Sequence, residues 1–168
     1  MIDWCDLERA GGDLLRRDAD AVDVARVIRK GGGYGYMASA YTKRLAVLGH
    51  GEPVRDALLW RAWFAALHAP LYSPLEAGHP LATMDDRRMM FTGLDGRLQG
   101  LPGDPERFHF HNDDVETWNI LNDPFLLAAE CVVVPPIYGR DHSAGTLREI
   151  CMAFEAQIPV FVLADLSK

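Results

Sequence analysis

Apolar residues recur along this chain with two spacings, and the switches between them mark out its elements. Between residues 6 and 30 the chain is strongly charged, yet Ala21, Val24, Ala25 and Ile28 fall on one helical face before the stop at Gly31, Gly32 and Gly33. That spacing predicts a charged helix over 6–30. The aromatic-rich YGYMAS at 34–39, flanked by glycines, predicts the first strand. A long helical region follows and is interrupted at 49–53. Thr42 suits the cap of its first piece. Pro53 suits the first turn of the second, which runs to His68 with Leu58, Leu59, Ala62, Trp63 and Ala66 as its core face.

Residues 69–75 predict a short second strand that runs into a loop, and the Gly- and Pro-rich stretch 83–112 predicts a surface excursion. The run 112–130 reads as helix, with Asn112 or Asp113 as its cap and Pro124 kinking or dividing it. A Val-rich third strand at 131–135, a helix at 145–156 with Leu147, Ile150, Cys151 and Phe154 on one face, and a closing strand at 159–165 complete the pattern. Helices alternating with short apolar strands imply parallel pairing through crossovers. The expected fold is therefore a three-layer α/β domain with a doubly wound, mostly parallel sheet of the flavodoxin or Rossmann kind. It covers residues 31–168, with 1–30 as an N-terminal helical extension. Four strands are visible, and RFHFH at 107–111 is a candidate fifth.

Composition narrows the partners. The formal net charge of −7 argues against a nucleic-acid polymer, which needs a basic face, but leaves room for one small anion held by local donors. No run approaches the roughly 20 apolar residues that span a bilayer. The polar, acidic start MIDWCDLERAGGD lacks the pattern of a signal peptide, so a cytoplasmic protein is expected. Cys5, Cys131 and Cys151 have neither disulfide nor zinc spacing and read as buried free thiols. His109 and His111 share one strand face without a third ligand, so no metal is expected.

In an open parallel sheet ligands bind beyond the carboxyl ends of the strands, beside helix N-termini. That rule selects ASAYTKR, SPLEAGHPL and YGRDHSAGT. Ser39, Thr42 and Lys43 in the first can supply donors and charge, although a lysine there also reads as a solvated residue at a helix start. His79 in the second can reach a base or phosphate, or simply stand in solvent. In the third, a helix beginning at Gly145 and Thr146 would turn free N–H groups to the crevice, with Gly145 allowing close approach. Glu149 falls at the end of the first turn, off the expected apolar face. From spacing alone it reads as a site acid or as an acid favoured near any helix start.

SAGTLRE at 143–149 after a Val-rich strand, followed by an Ala-containing helix and PVFVL, resembles the nucleoside 2-deoxyribosyltransferase superfamily. YMASAYT at 36–42 is similar to its first strand and small-residue turn, and DPFLLAAECVVV at 123–134 to its acid, helix and buried strand. The resemblance spans 33–165 and leaves 1–30 and 83–112 without a counterpart. It implies that Glu149 attacks the anomeric carbon of a nucleoside or nucleotide, and that Ser143 meets the sugar end of the substrate. Transferases of free nucleosides tend to carry Asp at that place, whereas deoxynucleoside 5′-monophosphate glycosidases carry Ser. A hydroxyl can donate to a phosphate that a carboxylate would repel, so the resemblance points to a nucleotide substrate.

It further implies an acid for the leaving base near Asp123, with Asn122 the competing match, and Asp141 or His142 as substitutes. Tyr36 matches an aromatic that lines the pocket, and Thr146 belongs to the ligand-binding turn. No cofactor is implied, and a homo-oligomer is. Two other readings stand beside this one. AGTLRE also resembles the G-T-x-x-E of the cytokinin-activating phosphoribohydrolases, although DHS replaces their Pro-Gly-Gly. The same fold can also serve as a non-catalytic nucleotide-sensing module.

Overall fold

Two aspartates set the course of the N-terminal segment. Asp3 accepts from the Cys5 and Asp6 N–H at 3.0 and 3.1 Å and starts helix α1 (Trp4–Gly11). Asp20 accepts from the Val22 and Asp23 N–H at 2.8 and 3.3 Å and starts α2 (Ala21–Gly31). The segment expected as one helix is therefore divided. Gly12 ends α1 at φ 50°, a conformation costly for other residues, and a short 3-10 turn, Gly12–Leu14, leads into strand β1 (Leu15–Ala19). The glycine pair at 11–12 is the stop signal that the helical spacing of 21–28 obscured.

In this computed structural model residues 1–39, 51–82, 90–92, 98–100 and 115–165 are described. After α2 come β2 (Gly35–Met37), α3 (Gly51–Ala66), β3 (Leu71–Tyr72), α4 (Pro74–Ala82), β4 (Met90–Thr92), β5 (Leu98–Gly100), α5 (Val115–Leu127), β6 (Cys131–Val134), α6 (Ala144–Glu155) and β7 (Val160–Leu163). The main sheet is five-stranded and all parallel, in the order β1-β7-β6-β2-β3, while β4 and β5 pair antiparallel apart from it. The architecture is the expected three-layer, Rossmann-like α/β fold. The fifth strand of the main sheet is β1, beside β7; the candidate at 107–111 lies outside the described residues.

Alternation along the strands divides the core into two layers. Tyr36, Val132, Val134, Val160 and Val162 point to one face and pack with Ile2, Leu7, Leu126, Ile150 and Ala153 from α1, α5, α6 and the residues before α1. Met37, Cys131, Val133, Phe161 and Leu163 point to the other, against Val24, Ala25 and Ile28 of α2, Ala57 and Phe64 of α3 and Leu75 of α4.

Several local expectations change. The loop expected after β3 is α4, because Pro74 sits at its first position and Ser73 Oγ accepts from the Glu76 N–H at 3.3 Å. Pro124 does not divide the chain into two helices; α5 continues through it. Ile120, whose carbonyl loses its helical donor to that proline, lies exposed to water. In α3 the buried residues are Ala57 and Phe64, whereas Leu58, Leu59 and Trp63 are exposed. In α6 Thr146, Ile150 and Ala153 are buried, while Leu147 and Cys151 face out. Of the three thiols only Cys131 is buried, and burial pushes it up to about 12. Among the described residues no helix is long and apolar enough to cross a membrane.

Candidate active site

The order of the sheet reverses between β2 and β6: β3 lies to one side of β2, and β6 and β7 to the other. This is the switch point at which an open α/β sheet leaves a crevice. The chain leaves β6 through Pro135 and Pro136, turns at Gly139 with φ 87°, and makes one 3-10 turn over Arg140–His142. Ser143 then starts α6, its Oγ accepting from the Thr146 N–H at 3.1 Å. That bond uses a lone pair and leaves the Ser143 hydroxyl proton free to donate.

The first turn of α6 is open on its outer side. A Cβ added to Gly145 would meet nothing nearer than Ser143 Oγ at 3.8 Å. Its inner side is closed: Thr146 is 1% exposed, and its buried hydroxyl has no hydrogen-bond partner among the described residues. Positions 146, 149, 150 and 153 form the i, i+3, i+4, i+7 stripe that faces the sheet. Glu149 thus occupies a core-facing position, where the sequence suggested it lay off the apolar face.

Tyr36, buried in the middle of β2, donates its hydroxyl to Glu149 Oε1 at 2.7 Å. Glu149 keeps some surface in solvent, but its carboxyl is packed closely enough that desolvation is the dominant influence on it. Desolvation pushes its pKa up to about 7, and the nearby Asp123 adds to the rise. The Tyr36 hydrogen bond and the Arg148 charge act in the opposite sense. Burial, and then the neighbouring Glu149, hold the Tyr36 phenol well above its ordinary value, so the phenol remains a donor.

Asp123 of α5 is held by Arg148 of α6 through two bonds, Nη1 to Oδ1 at 2.9 Å and Nη2 to Oδ2 at 2.5 Å. Such a fork fixes both side chains and spans the two helices. Asn122, the competing match, instead accepts from the Tyr72 hydroxyl at 3.0 Å. The Tyr72 ring stacks on Phe125 with centroids 4.2 Å apart and lies 5.8 Å from that of Tyr36.

The structure therefore gathers Tyr36, Asp123 and Glu149 into one cluster, with Ser143, Gly145 and Thr146 at the start of the same helix. Asp141 is turned away from it: its Oδ1 accepts from Trp4 Nε1 at 2.9 Å and from Arg140 Nε at 3.1 Å. Ser39 follows β2 at intermediate exposure. His79 lies on α4, its side chain outside the described residues, as are Thr42 and Lys43 entirely. Arg148 was missed by sequence reasoning. A single Arg beside an acid on a helix reads as a solvated residue, and its partner lies 25 positions away. No group of three or more metal-binding side chains occurs among the described residues.

A crevice of about 230 Å³ also opens beyond β6 and β7, lined by Asp56, Leu59, Trp60, Pro136, Ile137 and Asp165. It lies against α3, and Glu149 is not in its wall. The Glu149 cluster is the better guide to chemistry, because a carboxyl is desolvated there at a cost to folding. Comparison with known proteins finds no family model, no curated relative and no solved structure that matches the chain.

Proposed function

We propose that this protein cleaves or transfers the N-glycosidic bond of a ribo- or deoxyribonucleoside 5′-monophosphate or nucleoside, with Glu149 as nucleophile. The observation that carries the reading is the part-buried Glu149 carboxyl, one turn into α6 and gripped at Oε1 by the Tyr36 hydroxyl at 2.7 Å. Oε1 is steered by Tyr36, and Oε2 is the oxygen suited to attack. In the first step the Glu149 Oε2–C1′ bond forms as the C1′–N bond breaks, and the base leaves with the bonding electrons and takes up a proton. In the second, water or another base attacks C1′ and returns the carboxylate. The oxocarbenium-like state between them gains from an anionic Glu149, and the reactive form is therefore the deprotonated one.

The outward N–H groups of α6 and the Ser143 hydroxyl suit an anion at the sugar end, as a 5′-phosphate would supply. Asp123, the candidate acid for the leaving base, accepts at both oxygens from Arg148 in the resting protein. Its service as an acid requires that fork to open when substrate enters. The same fork favours a second reading, a nucleotide-sensing module of this fold, for which the donors of α6 suffice.

Incubation with a panel of deoxynucleoside and ribonucleoside monophosphates and free nucleosides, read by chromatography of released base, separates the two. Release that disappears in Glu149→Ala is expected. Tight binding of one nucleotide with no release from any would leave the sensing module.

A further inference from the structure

We propose that the N-terminal segment is a working part of the site, and that Trp4 is a positioning residue which acts through Asp141 on the turn that delivers Ser143. The inference rests on the reading above for its catalytic consequence but not for its geometry. Residues 1–7 meet the turn at three points. The Ile2 N–H donates to the Asp141 carbonyl at 2.6 Å, Trp4 Nε1 donates to Asp141 Oδ1 at 2.9 Å, and the Arg140 guanidinium lies 5.8 Å from the centre of the Trp4 ring. Arg140 in turn donates to the Leu163 carbonyl at 3.3 Å, which ties the turn to the end of β7.

Only His142 separates Asp141 from Ser143, so the position of the helix cap is set by a turn whose own anchors come from the other end of the chain. The far end of α6 is held likewise. A Cβ on Gly11 would lie 2.4 Å from the Phe154 ring, so α1 packs directly on the helix that carries Glu149. Ile2 and Leu7 share a core with Ile150 and Ala153. β1, paired with β7, anchors the whole segment to the sheet. A mere edge addition would need β1 alone. The bonds to Asp141 instead fall on the one loop that must be rigid if an anion is to be held at the start of α6.

The test uses the full chain with Trp4→Phe, which keeps a ring over Arg140 and removes the N–H donor, and Ile28→Val as a control that loosens the opposite layer. Amide hydrogen exchange read by mass spectrometry should quicken about fivefold or more across 139–147 in Trp4→Phe, with β6 and β7 unchanged. In Ile28→Val the same peptides should keep their protection. If nucleotide is turned over, KM should rise about fivefold with kcat within about twofold, the signature of lost binding rather than lost chemistry. Exchange that is unchanged at 139–147, or that quickens equally throughout, overturns the proposal. Absence of turnover in the parent protein overturns the enzyme reading and leaves the exchange result to decide this one.

Discussion

Two helices of this protein break the rule of apolar inside and polar outside, in opposite directions. In α6 the stripe that faces the sheet reads Thr146, Glu149, Ile150, Ala153, with a buried unpartnered hydroxyl and a desolvated carboxyl among its members. In α3 the apolar Leu58, Leu59 and Trp63 stand in solvent, exposed by 46, 59 and 56%. The two departures differ in kind. An exposed Leu costs a folded protein little relative to its unfolded chain, where it is exposed as well. A buried carboxylate is a cost that folding alone gives no reason to keep. The α6 departure therefore calls for a function, and the α3 departure does not by itself.

The largest break in that contrast is Glu149→Gln. The variant keeps the shape and an acceptor for Tyr36 but cannot carry the negative charge, so base release should fall on the order of 10³-fold or more. The same variant should be more stable than the parent at alkaline pH. The folded-state pKa of Glu149 is raised from 4.5 to about 7, so the folded form binds the proton more tightly than the unfolded chain. Its contribution is complete below pH 4.5 and is lost as pH rises through 7. Between those limits the parent should lose up to about 3 kcal/mol that Glu149→Gln keeps. Denaturant titrations at pH 4.5 and 8 measure it. A variant less stable than its parent at pH 8 would show that the carboxylate is compensated in the fold.

Next in size is Tyr36→Phe. Its hydroxyl favours the charged form of Glu149, so removal should move the acidic limb of the kcat/KM profile upward by about one pH unit from its place near 7. A downward shift would mean that the bond chiefly orients a carboxyl which other groups keep ionised. Thr146→Val follows. With no partner for the hydroxyl among the described residues, an isostere without it should stabilise by about 1 kcal/mol in thermal unfolding. If that hydroxyl serves the ligand, the gain in stability should come with weaker nucleotide binding.

How much of this was legible in the sequence differs between strands and helices. Runs such as Val132 to Val134 and Val160 to Leu163 are apolar on both faces, as buried parallel strands must be, and their existence and order could be read from the chain. Which face of a helix turns inward could not. In α3 the phase is set by Ala57 and Phe64, and the more numerous Leu58, Leu59 and Trp63 drew the reading to the opposite side of the helix, about 180° round. In α6 the stripe holds a Thr and a Glu, so a search for apolar residues selected Leu147 and Cys151 instead. β1 was hidden because Arg16, Arg17 and Asp18 are exposed on an edge strand, where charge is tolerated and even useful. The cluster itself was half legible: local motifs led to Glu149, Ser143 and Tyr36, while the Asp123–Arg148 fork joins two helices and leaves no local mark.

The smallest expected effect tests the other side of the comparison. If the apolar face of α3 is in water in the folded protein, Leu59→Ser and Trp63→Ser remove little that folding had gained. Each should then change unfolding free energy by no more than about 0.5 kcal/mol in dilute protein. Phe64→Ala, on the buried side of the same helix, should cost about 3 kcal/mol or more, because its ring is lost from a packed core. The ratio between neighbouring positions 63 and 64 is the measurement, since both lie in one helix and the few tenths of a kcal/mol between Ser and Ala in helix propensity are small beside the expected difference in burial. A loss above about 2 kcal/mol for Trp63→Ser would mean that its side chain is packed in solution. In that event α3 would cease to be the harmless half of the contrast, and its apolar face would have to be explained by contact as the buried face of α6 is explained by chemistry.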